Sequence, residues 1–275
     1  MRKRKAVPAA PTFRTAVVQA AQQVRVPVDD FERATILGQI AALLTQDPRM
    51  RTGIAYKGGA IMRLVDNSPR LSRDLDGAAV SGMAIRRRWV EQALSTPAAR
   101  RIILGVPRIV NENPTSLVFP VIECRSLSGR GKISLSLSIN WDDPLLEVPE
   151  LRDIQLPKGV ASIPVVHRRE RAAEKVRAFM MRGEVSDAFD LYQYGAHILT
   201  AEDWPALPRL ISRKLLGRFQ EQDDLHRLFD EMVAQVKEFW GRPGSMVIAA
   251  DVPGWPPVLQ QLKQFKANVP PTVQR

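Results

Sequence analysis

The sequence has little of the residue types on which several protein classes depend. One cysteine, Cys124, among 275 residues excludes an intramolecular disulfide framework and a cysteine-rich zinc site. It lies in the apolar run "SLVFPVIEC", which favours a buried structural thiol over a nucleophile. The three histidines, His167, His197 and His226, are too scattered for a histidine-based metal site and are interpreted as surface or cap residues. No histidine partners the serines of "SLSLS", so a hydrolase triad is not supported.

Long apolar runs and clustered aromatic residues are also missing. No stretch approaches the roughly eighteen uninterrupted apolar residues of a membrane span, and the basic start "MRKRK" is not followed by the apolar segment of a signal peptide. We therefore predict a cytosolic protein with no membrane partner. Three tyrosines and nine phenylalanines, without clustering, do not form a base-stacking platform.

Acidic residues are outnumbered by basic ones, 29 to 40, giving a formal net charge of +11. The excess is spread along the chain, as "RRR" at 86–88, "RR" at 100–101 and "RRER" at 168–171 show, so it belongs to the folded body. Such a charge favours a polyanionic partner, and nucleic acid held through its backbone fits better than a small acidic metabolite.

Hydrophobic periodicity divides the chain into a mixed N-terminal region, a β region and a helical region. Residues 12–26 and 29–46 read as helices, with Asp29 or Asp30 as a candidate cap for the second. "TGIAY" then reads as a strand, "GGAIMRLVD" as a helix that opens on glycines and "SRDLDGAAV" as extended chain. From 102 to about 141 the pattern is β, with strict alternation in "KISLSLSINW" and a turn at "SGRG". Beyond a Pro-rich stretch the pattern is helical.

Two aspartates in "RLSRDLD" are spaced to point the same way. If this segment is a strand, Ser72, Asp74 and Asp76 share one face. Carboxylates about 6 to 7 Å apart along a strand repel each other unless a cation lies between them. Magnesium takes oxygen ligands and completes its shell with substrate phosphates, so the pair suits one half of a metal-nucleotide site.

A glycine pair precedes these aspartates. In "KGGAIMRL", Gly58 and Gly59 at a helix start let backbone N–H groups approach phosphate oxygens, and Lys57 adds a positive charge. Either feature alone is usually a plain turn or a solvated strand end. Their order, with Asp74 fifteen positions after Gly59, is what polymerase-beta-like nucleotidyltransferases require.

These segments resemble a known family. "KGGAIMRL" and "RLSRDLD" are similar to the Gly-Gly-x-x-x-x-Leu and Arg-x-Ser-x-Asp-x-Asp signature of AbiEii-type nucleotidyltransferase toxins, the MenT-like group included. "EKVRAFMMRGEVSDAFDLYQY" is similar to the family's later Glu-Lys-x-x-Ala and Arg-Asp-x-x-Asp-Leu-Tyr segment. Close resemblance covers about 57–76 and 170–194, and the β region between them is similar in texture only.

The resemblance implies a bilobed α+β fold in which a polymerase-beta-like nucleotidyltransferase α/β core precedes a helical domain. We accordingly predict a basic tail at 1–10, the nucleotidyltransferase core at 11–150, the helical domain at 151–245 and a Pro-rich C-terminal tail at 246–275. By motif position the resemblance implies catalytic and nucleotide-binding residues. The catalytic residues are Asp74, Asp76, Lys175 and Asp190, of which Asp74 and Asp76 bind the metal, and the nucleotide-binding residues are Lys57, Gly58, Gly59, Arg70, Ser72 and Arg182.

The activity implied is transfer of a nucleotide from an NTP, with Mg²⁺ or Mn²⁺, to an RNA acceptor, with the tRNA 3′ end first among candidates. Such an enzyme blocks translation as a toxin in a toxin–antitoxin or phage-defence system, so a cognate antitoxin is implied as a partner. Two alternatives stay open. One is nucleotide transfer to a protein hydroxyl, and the other is a catalytically idle module that binds nucleic acid or an antitoxin.

Three departures from the family pattern bear on these alternatives. Gly77 replaces the usual bulky apolar residue after the Asp-x-Asp, which predicts looser packing, and Ser186 replaces the arginine of Arg-Asp-x-x-Asp. "KISLSLSINW" offers serines and an asparagine where many nucleotidyltransferases place a third carboxylate, and Asp142 and Glu123 are the nearest substitutes.

Overall fold

A computed structural model describes residues 13–23, 26–80, 85–105, 107, 110–129, 131–157, 159–241 and 252–273. The predicted basic tail, 1–10, lies outside these residues. The helices among them are α1 (Phe13–Gln23), α2 (Val28–Thr45), α3 (Pro48–Gly53), α4 (Gly58–Leu64), α5 (Arg87–Leu94), α6 (Arg168–Arg182), α7 (Val185–Gln193), α8 (Leu207–Leu215), α9 (Leu225–Phe239) and α10 (Trp255–Lys266). The strands are β1 (Ile54–Lys57), β2 (Asp74–Ala79), β3 (Asn111–Asn113), β4 (Ser116–Arg125), β5 (Lys132–Asn140), β6 (Glu150–Leu156) and β7 (Gly159–Val165).

The seven strands form one mixed sheet in the order β3-β4-β5-β2-β1-β7-β6. β2 runs parallel to β5 and β1 parallel to β7, whereas the other neighbours are antiparallel. Strand β5 shows the predicted alternation, because Ile133, Leu135, Leu137 and Ile139 are buried while the intervening polar residues are more accessible. The extended segments predicted at 52–56, 72–80 and 132–141 are confirmed as strands β1, β2 and β5.

One face of the sheet is covered by helix α2, which packs against β5, β6 and β7. Ile36 and Ile40 of this helix join Ile54, Leu137 and Ile163 of the strands in a first hydrophobic core. Burial of such side chains contributes roughly 1.5 to 3 kcal/mol each. The other face carries the polar residues of β2 and β5, and beside it Lys57 and Arg70 form ion pairs with Glu174 and Asp190 of the C-terminal helices.

Helices α6 to α10 surround a second hydrophobic core. Phe179 of α6 and Phe229 of α9 contact each other at 5.1 Å between ring centroids, and Met62 of α4 packs into the same cluster. Because Met62 belongs to the sheet region, the two lobes share packing contacts. The predicted α+β architecture with a sheet lobe and a helical lobe is therefore observed.

The element boundaries differ from the prediction in two places. Residues 150–156 and 159–165 are strands β6 and β7 of the sheet, although the sequence analysis placed 151–165 in the helical domain; the first helix of that lobe begins at Arg168. The mixed polar and apolar character of β6, an edge strand, concealed it. The predicted Pro-rich tail contains α10, which prolines at its first turn favour rather than prevent.

Two local predictions were also wrong. Neither Asp29 nor Asp30 caps α2, because the helix already begins at Val28 and both aspartates lie in its first turn. At the start of the segment from 102 to about 141 that was predicted to be β, the described residues before β3 form one isolated bridge, from Ile103 to Cys124, and no strand.

Candidate active site

Strand β2 presents Asp74 and Asp76 on one face, as the period of a strand requires. Its parallel pairing sets Asp74 beside Ser136 and Asp76 beside Ser138 of β5. Ser136 Oγ donates a hydrogen bond of 2.6 Å to Asp74 Oδ1. Asp76 has no hydrogen-bond or ion-pair partner among the described residues. Burial, followed by the charge of Asp74, raises the pKa of Asp76, and the nearby charges of Lys57 and Lys175 offset this shift only in part.

The glycine pair brings backbone directly against Asp76. Lys57, the last residue of β1, lies opposite Asp76 in the antiparallel register. Gly58 then turns the chain into α4 with φ of 80°, and a Cβ at this position would collide with the Asp76 carboxylate. Only glycine fits both the positive φ and the close approach. Among the described residues, Lys57, Gly58 and Asp76 therefore meet as the sequence predicted.

The turn before β2 is held by Ser72 and Arg70. Ser72 Oγ accepts from the Asp74 N–H at 3.3 Å and lies beside Gly59, where a Cβ would stand 3.4 Å from it. Arg70 is buried; its guanidinium donates to the Leu71 carbonyl at 2.9 Å and its Nε lies 3.0 Å from Asp190 Oδ1. Arg70 thus connects the loop before β2 to the helical lobe.

The helical lobe contributes charges that are already paired. Lys175 Nζ lies 2.7 Å from Asp190 Oδ2 and 3.4 Å from Asp187 Oδ1, and both carboxylates are completely buried. Burial alone would lower the pKa of Lys175, but the charges of Asp190 and Asp187 outweigh it and raise the pKa. Asp190 therefore acts on the site through Lys175 and Arg70.

Arg182, predicted to bind the nucleotide, is paired with Asp187 in the structure. Its Nε and Nη2 donate to the two carboxylate oxygens at 2.6 and 2.8 Å, a bidentate geometry that opposes the effect of burial and keeps the pKa of Asp187 below its usual value. Arg182 comes from the end of α6, and Ser186, which stands where the family has an arginine, bonds to Glu184. In this chain Asp187 is thus paired more closely with Arg182 than with Lys175.

The sequence analysis missed a chain of charges beneath Lys57. Lys57 Nζ lies 2.9 Å from Glu174 Oε2, and Lys214 Nζ lies 3.2 Å from Glu174 Oε1. Lys214 is 2% exposed and also contacts Glu170 at 2.8 Å and Asp143 at 3.0 Å. The sequence signals were the position of Glu174 beside Lys175 and its spacing of four residues from Glu170 on the same helix, whereas Lys57, Asp143 and Lys214 are distant along the chain.

No third carboxylate with the properties of a strong base adjoins the pair among the described residues. Glu174 is close enough to raise the pKa of Asp76, but Lys57 and Lys214 counter the effect of burial and hold the pKa of Glu174 below its usual value. Glu123 is half exposed and paired with Lys132. Asp142 lies beyond the end of β5 and is paired with Arg218.

Three further sequence predictions have clear outcomes. Gly77 does not loosen the packing, because Ile54 fills the space and a Cβ at Gly77 would stand 2.8 Å from Ile54 Cγ2. Cys124 is buried, and burial raises the pKa of its thiol to about 12, which confirms a structural role. His167 caps α6 by accepting from the Arg169 N–H at 3.3 Å.

A divalent cation fits the chemistry of the β2 face. The described residues contain no group of three or more His, Cys, Asp and Glu side chains arranged to hold a metal. Asp74 and Asp76 would therefore supply two oxygen ligands, and phosphate and water oxygens the remainder, which is the usual mode for Mg²⁺ bound with a nucleotide. Burial and then the charge of Asp74 raise the pKa of Asp76, and a bound cation would offset both effects. A mixed sheet with paired carboxylates beside a glycine turn, facing a cationic helical lobe, defines a nucleotidyltransferase fold.

The comparison with protein families identifies this chain more closely. Residues 42–245 match the family described as "Nucleotidyl transferase AbiEii toxin, Type IV TA system". The match covers most of the chain and includes every predicted site residue, so the chain belongs to the AbiEii nucleotidyltransferase toxin family. Membership of a toxin–antitoxin family implies a nucleotide substrate and an antitoxin.

Solved structures share the fold. MenT4, a nucleotidyltransferase toxin from Mycobacterium tuberculosis H37Rv, superposes with a TM-score of 0.59 at 18% identity, over 90% of this chain and 88% of that one. JHP933 from Helicobacter pylori superposes with a TM-score of 0.54 at 15% identity, over 84% and 87%. The search of curated proteins found no match. None of the helices among the described residues combines the length and apolar character needed to cross a bilayer.

Proposed function

We propose that this toxin transfers a nucleotide from an NTP to the 3′ end of a tRNA in a metal-dependent reaction, and that the modified tRNA no longer supports translation. The observation that carries the proposal is the pair Asp74 and Asp76 on one face of β2, with Lys57 and Gly58 of β1 and α4 directly beside Asp76. This set offers metal ligands and a phosphate contact at one place.

Each residue has a role that follows from its surroundings. Asp74 and Asp76 would hold Mg²⁺ or Mn²⁺, which supplies Lewis-acid stabilisation of charge on the phosphates. Lys57 and the Gly58 and Gly59 backbone would bind the triphosphate. Lys175, held by the buried Asp190, supplies a fixed positive charge near Asp76 for the departing pyrophosphate.

The transfer is an in-line displacement. The acceptor hydroxyl oxygen forms a bond to the α-phosphorus while the bond from that phosphorus to the bridging oxygen breaks, and pyrophosphate leaves with the electron pair. The hydroxyl proton passes to solvent water, which has access to the site because Asp74 is exposed. Glu174 does not take it, because its low pKa makes it a weak base.

The basic composition supports RNA as the acceptor. A formal charge of +11 with few aromatic residues fits a partner held through its phosphates. Nucleotide transfer to a protein hydroxyl uses the same site, so the choice of acceptor is decided by experiment.

The test incubates the protein with total tRNA, Mg²⁺ and each α-³²P-labelled NTP in turn, followed by a denaturing gel. Label on tRNA with one NTP, absent for the Asp76→Ala variant and after chelation of the metal, is expected. Label on a protein band would move the acceptor to protein. No label with any NTP would leave a catalytically idle binding module.

A further inference from the structure

A second cationic cavity lies where the two lobes meet. Its volume is about 220 Å³, and its walls come from the segment after β5 and from helices α6 and α8 with the turn that follows. Its charged lining residues are four cations, Arg177, Arg213, Lys214 and Arg218, and two carboxylates, Asp142 and Asp143. Positive charge is therefore in excess, and the cavity favours an anion.

The cations of this cavity divide into an inner and an outer pair. Arg177 and Lys214 hold Asp143 at 2.5 and 3.0 Å, and Lys214 is almost completely buried. Arg213 and Arg218 are exposed. Arg218 reaches Asp142 at 3.4 Å, and Arg213 has no ion-pair partner among the described residues. The inner pair fixes the floor, while the outer arginines are available to a ligand.

The cavity is separate from the predicted triphosphate site but close to it. The Glu174 carboxylate stands between them, within 2.9 Å of Lys57 Nζ on one side and 3.2 Å of Lys214 Nζ on the other. A single triphosphate that extended from Lys57 into the cavity would pass the Glu174 carboxylate and be repelled by its negative charge. An anion in the cavity is therefore a second phosphate, from another part of the bound substrates.

We propose that this cavity binds a backbone phosphate of the RNA acceptor. Arginine guanidinium groups match phosphate oxygens in bidentate geometry, and contacts of this kind set the position of a strand without reading its sequence. The inference rests on the proposed RNA acceptor and adds where the acceptor strand is held. Arg213 and Arg218 are its binding residues and, away from the paired aspartates, take no part in bond breaking.

The test compares the double variant Arg213→Ala, Arg218→Ala with wild type. A matched control, Arg227→Ala with Lys237→Ala, removes two exposed charges from α9, neither of which lines the cavity. Binding of total tRNA is measured by filter retention without NTP or metal at several salt concentrations. Binding of each NTP with Mg²⁺ is measured by calorimetry. Circular dichroism checks that all variants are folded.

For the cavity variant we expect a tRNA Kd about tenfold higher than that of the wild type, and a plot of log Kd against log salt concentration whose slope is smaller by about one to two phosphate contacts. Its affinity for NTP should be unchanged, and the control variant should bind tRNA nearly as the wild type does. Equal tRNA affinity of the wild type and the cavity variant would overturn the proposal that this cavity binds RNA, and would leave the proposed transfer to RNA untouched. An equal loss of tRNA affinity in the control would also overturn it, because the effect would then come from diffuse surface charge. A loss of NTP affinity in place of tRNA affinity would overturn it as well, because the cavity would then bind the triphosphate. A wild type that binds no tRNA would overturn the RNA acceptor together with this inference.

Discussion

The paired aspartates of the two lobes differ in burial and in ion pairing. On the sheet, Asp74 and Asp76 face the cleft without an ion pair to either carboxylate among the described residues, and the pKa of Asp76 is raised. On the helical lobe, Asp187 and Asp190 are completely buried and contact Lys175, Arg182 or Arg70. The first pair is arranged for a ligand that brings positive charge. The second pair holds cations in place.

This difference separates carboxylates that are open to a ligand from carboxylates that hold other side chains in place. Removing a carboxylate from the sheet relieves repulsion and removes chemistry. Removing one from the helical lobe leaves buried cations without partners, which costs folding free energy. The comparison can therefore be tested by measuring activity and stability on the same variants.

The largest effect is expected for Asp76→Asn. Loss of one metal ligand should lower the rate of nucleotide transfer about a thousandfold or more. Stability in the absence of metal should not fall, because the amide no longer repels Asp74. Single-turnover transfer assays and urea unfolding check both parts. A variant that is strongly destabilised would break the distinction between the lobes.

Asp190→Asn should act mainly on stability. The substitution leaves Lys175 and Arg70 buried with less negative charge, so we expect a loss of about 3 kcal/mol in the free energy of unfolding. The control is Asp230→Asn, whose ion pair with Lys266 is exposed and contributes little. If Asp190→Asn unfolds like wild type, the buried pairs are not what holds the helical lobe.

A smaller effect is expected for Ser136→Ala. Ser136 orients the Asp74 carboxylate through a bond of 2.6 Å, and loss of such support lowers metal affinity by about tenfold. The Mg²⁺ concentration for half-maximal transfer should rise accordingly, with unchanged stability. Ser134→Ala, two residues earlier on the same face and exposed, is the control. An unchanged Mg²⁺ requirement would show that Asp74 needs no support from β5.

Falling pH should protonate Asp76 first, because its pKa is raised, and should weaken the helical-lobe network only at lower pH. The pKa of Glu174 and that of Asp187 lie below their ordinary values, since neighbouring cations outweigh burial. Carboxyls with lowered pKa stabilise the fold above the unfolded pKa, near 4, and this stability is lost as pH falls further. Thermal melting between pH 6 and 3 should show a decline below about pH 4. The decline should be shallower in Glu174→Gln, and an identical profile would argue against the network.

Much of the sheet lobe could be predicted because its signals are local. Alternation in β2 and β5 and the glycines at 58 and 59 are properties of short segments. Strands β6 and β7 and helix α10 were not recognised, because an edge strand with mixed polarity and a helix that begins with prolines lack those local signals.

The candidate site residues were predicted from sequence motifs, whereas their partners in the structure were not. Lys57 meets Glu174, and Arg70 meets Asp190, across more than a hundred residues of chain. Lys214 looked like part of a basic surface and is instead buried among three carboxylates.

The sequence by itself determined that Asp74 and Asp76 share one face and that glycine precedes them, because backbone geometry sets the direction of side chains within a strand. Only the tertiary structure decided which charges are neutralised and which remain available. Packing of α6 against α7 and α8 in the helical lobe removes water from some carboxylates and brings lysine or arginine to each, while Asp74 stays in solvent. Burial and distance between remote segments set those pairings, and neither is encoded in any single segment.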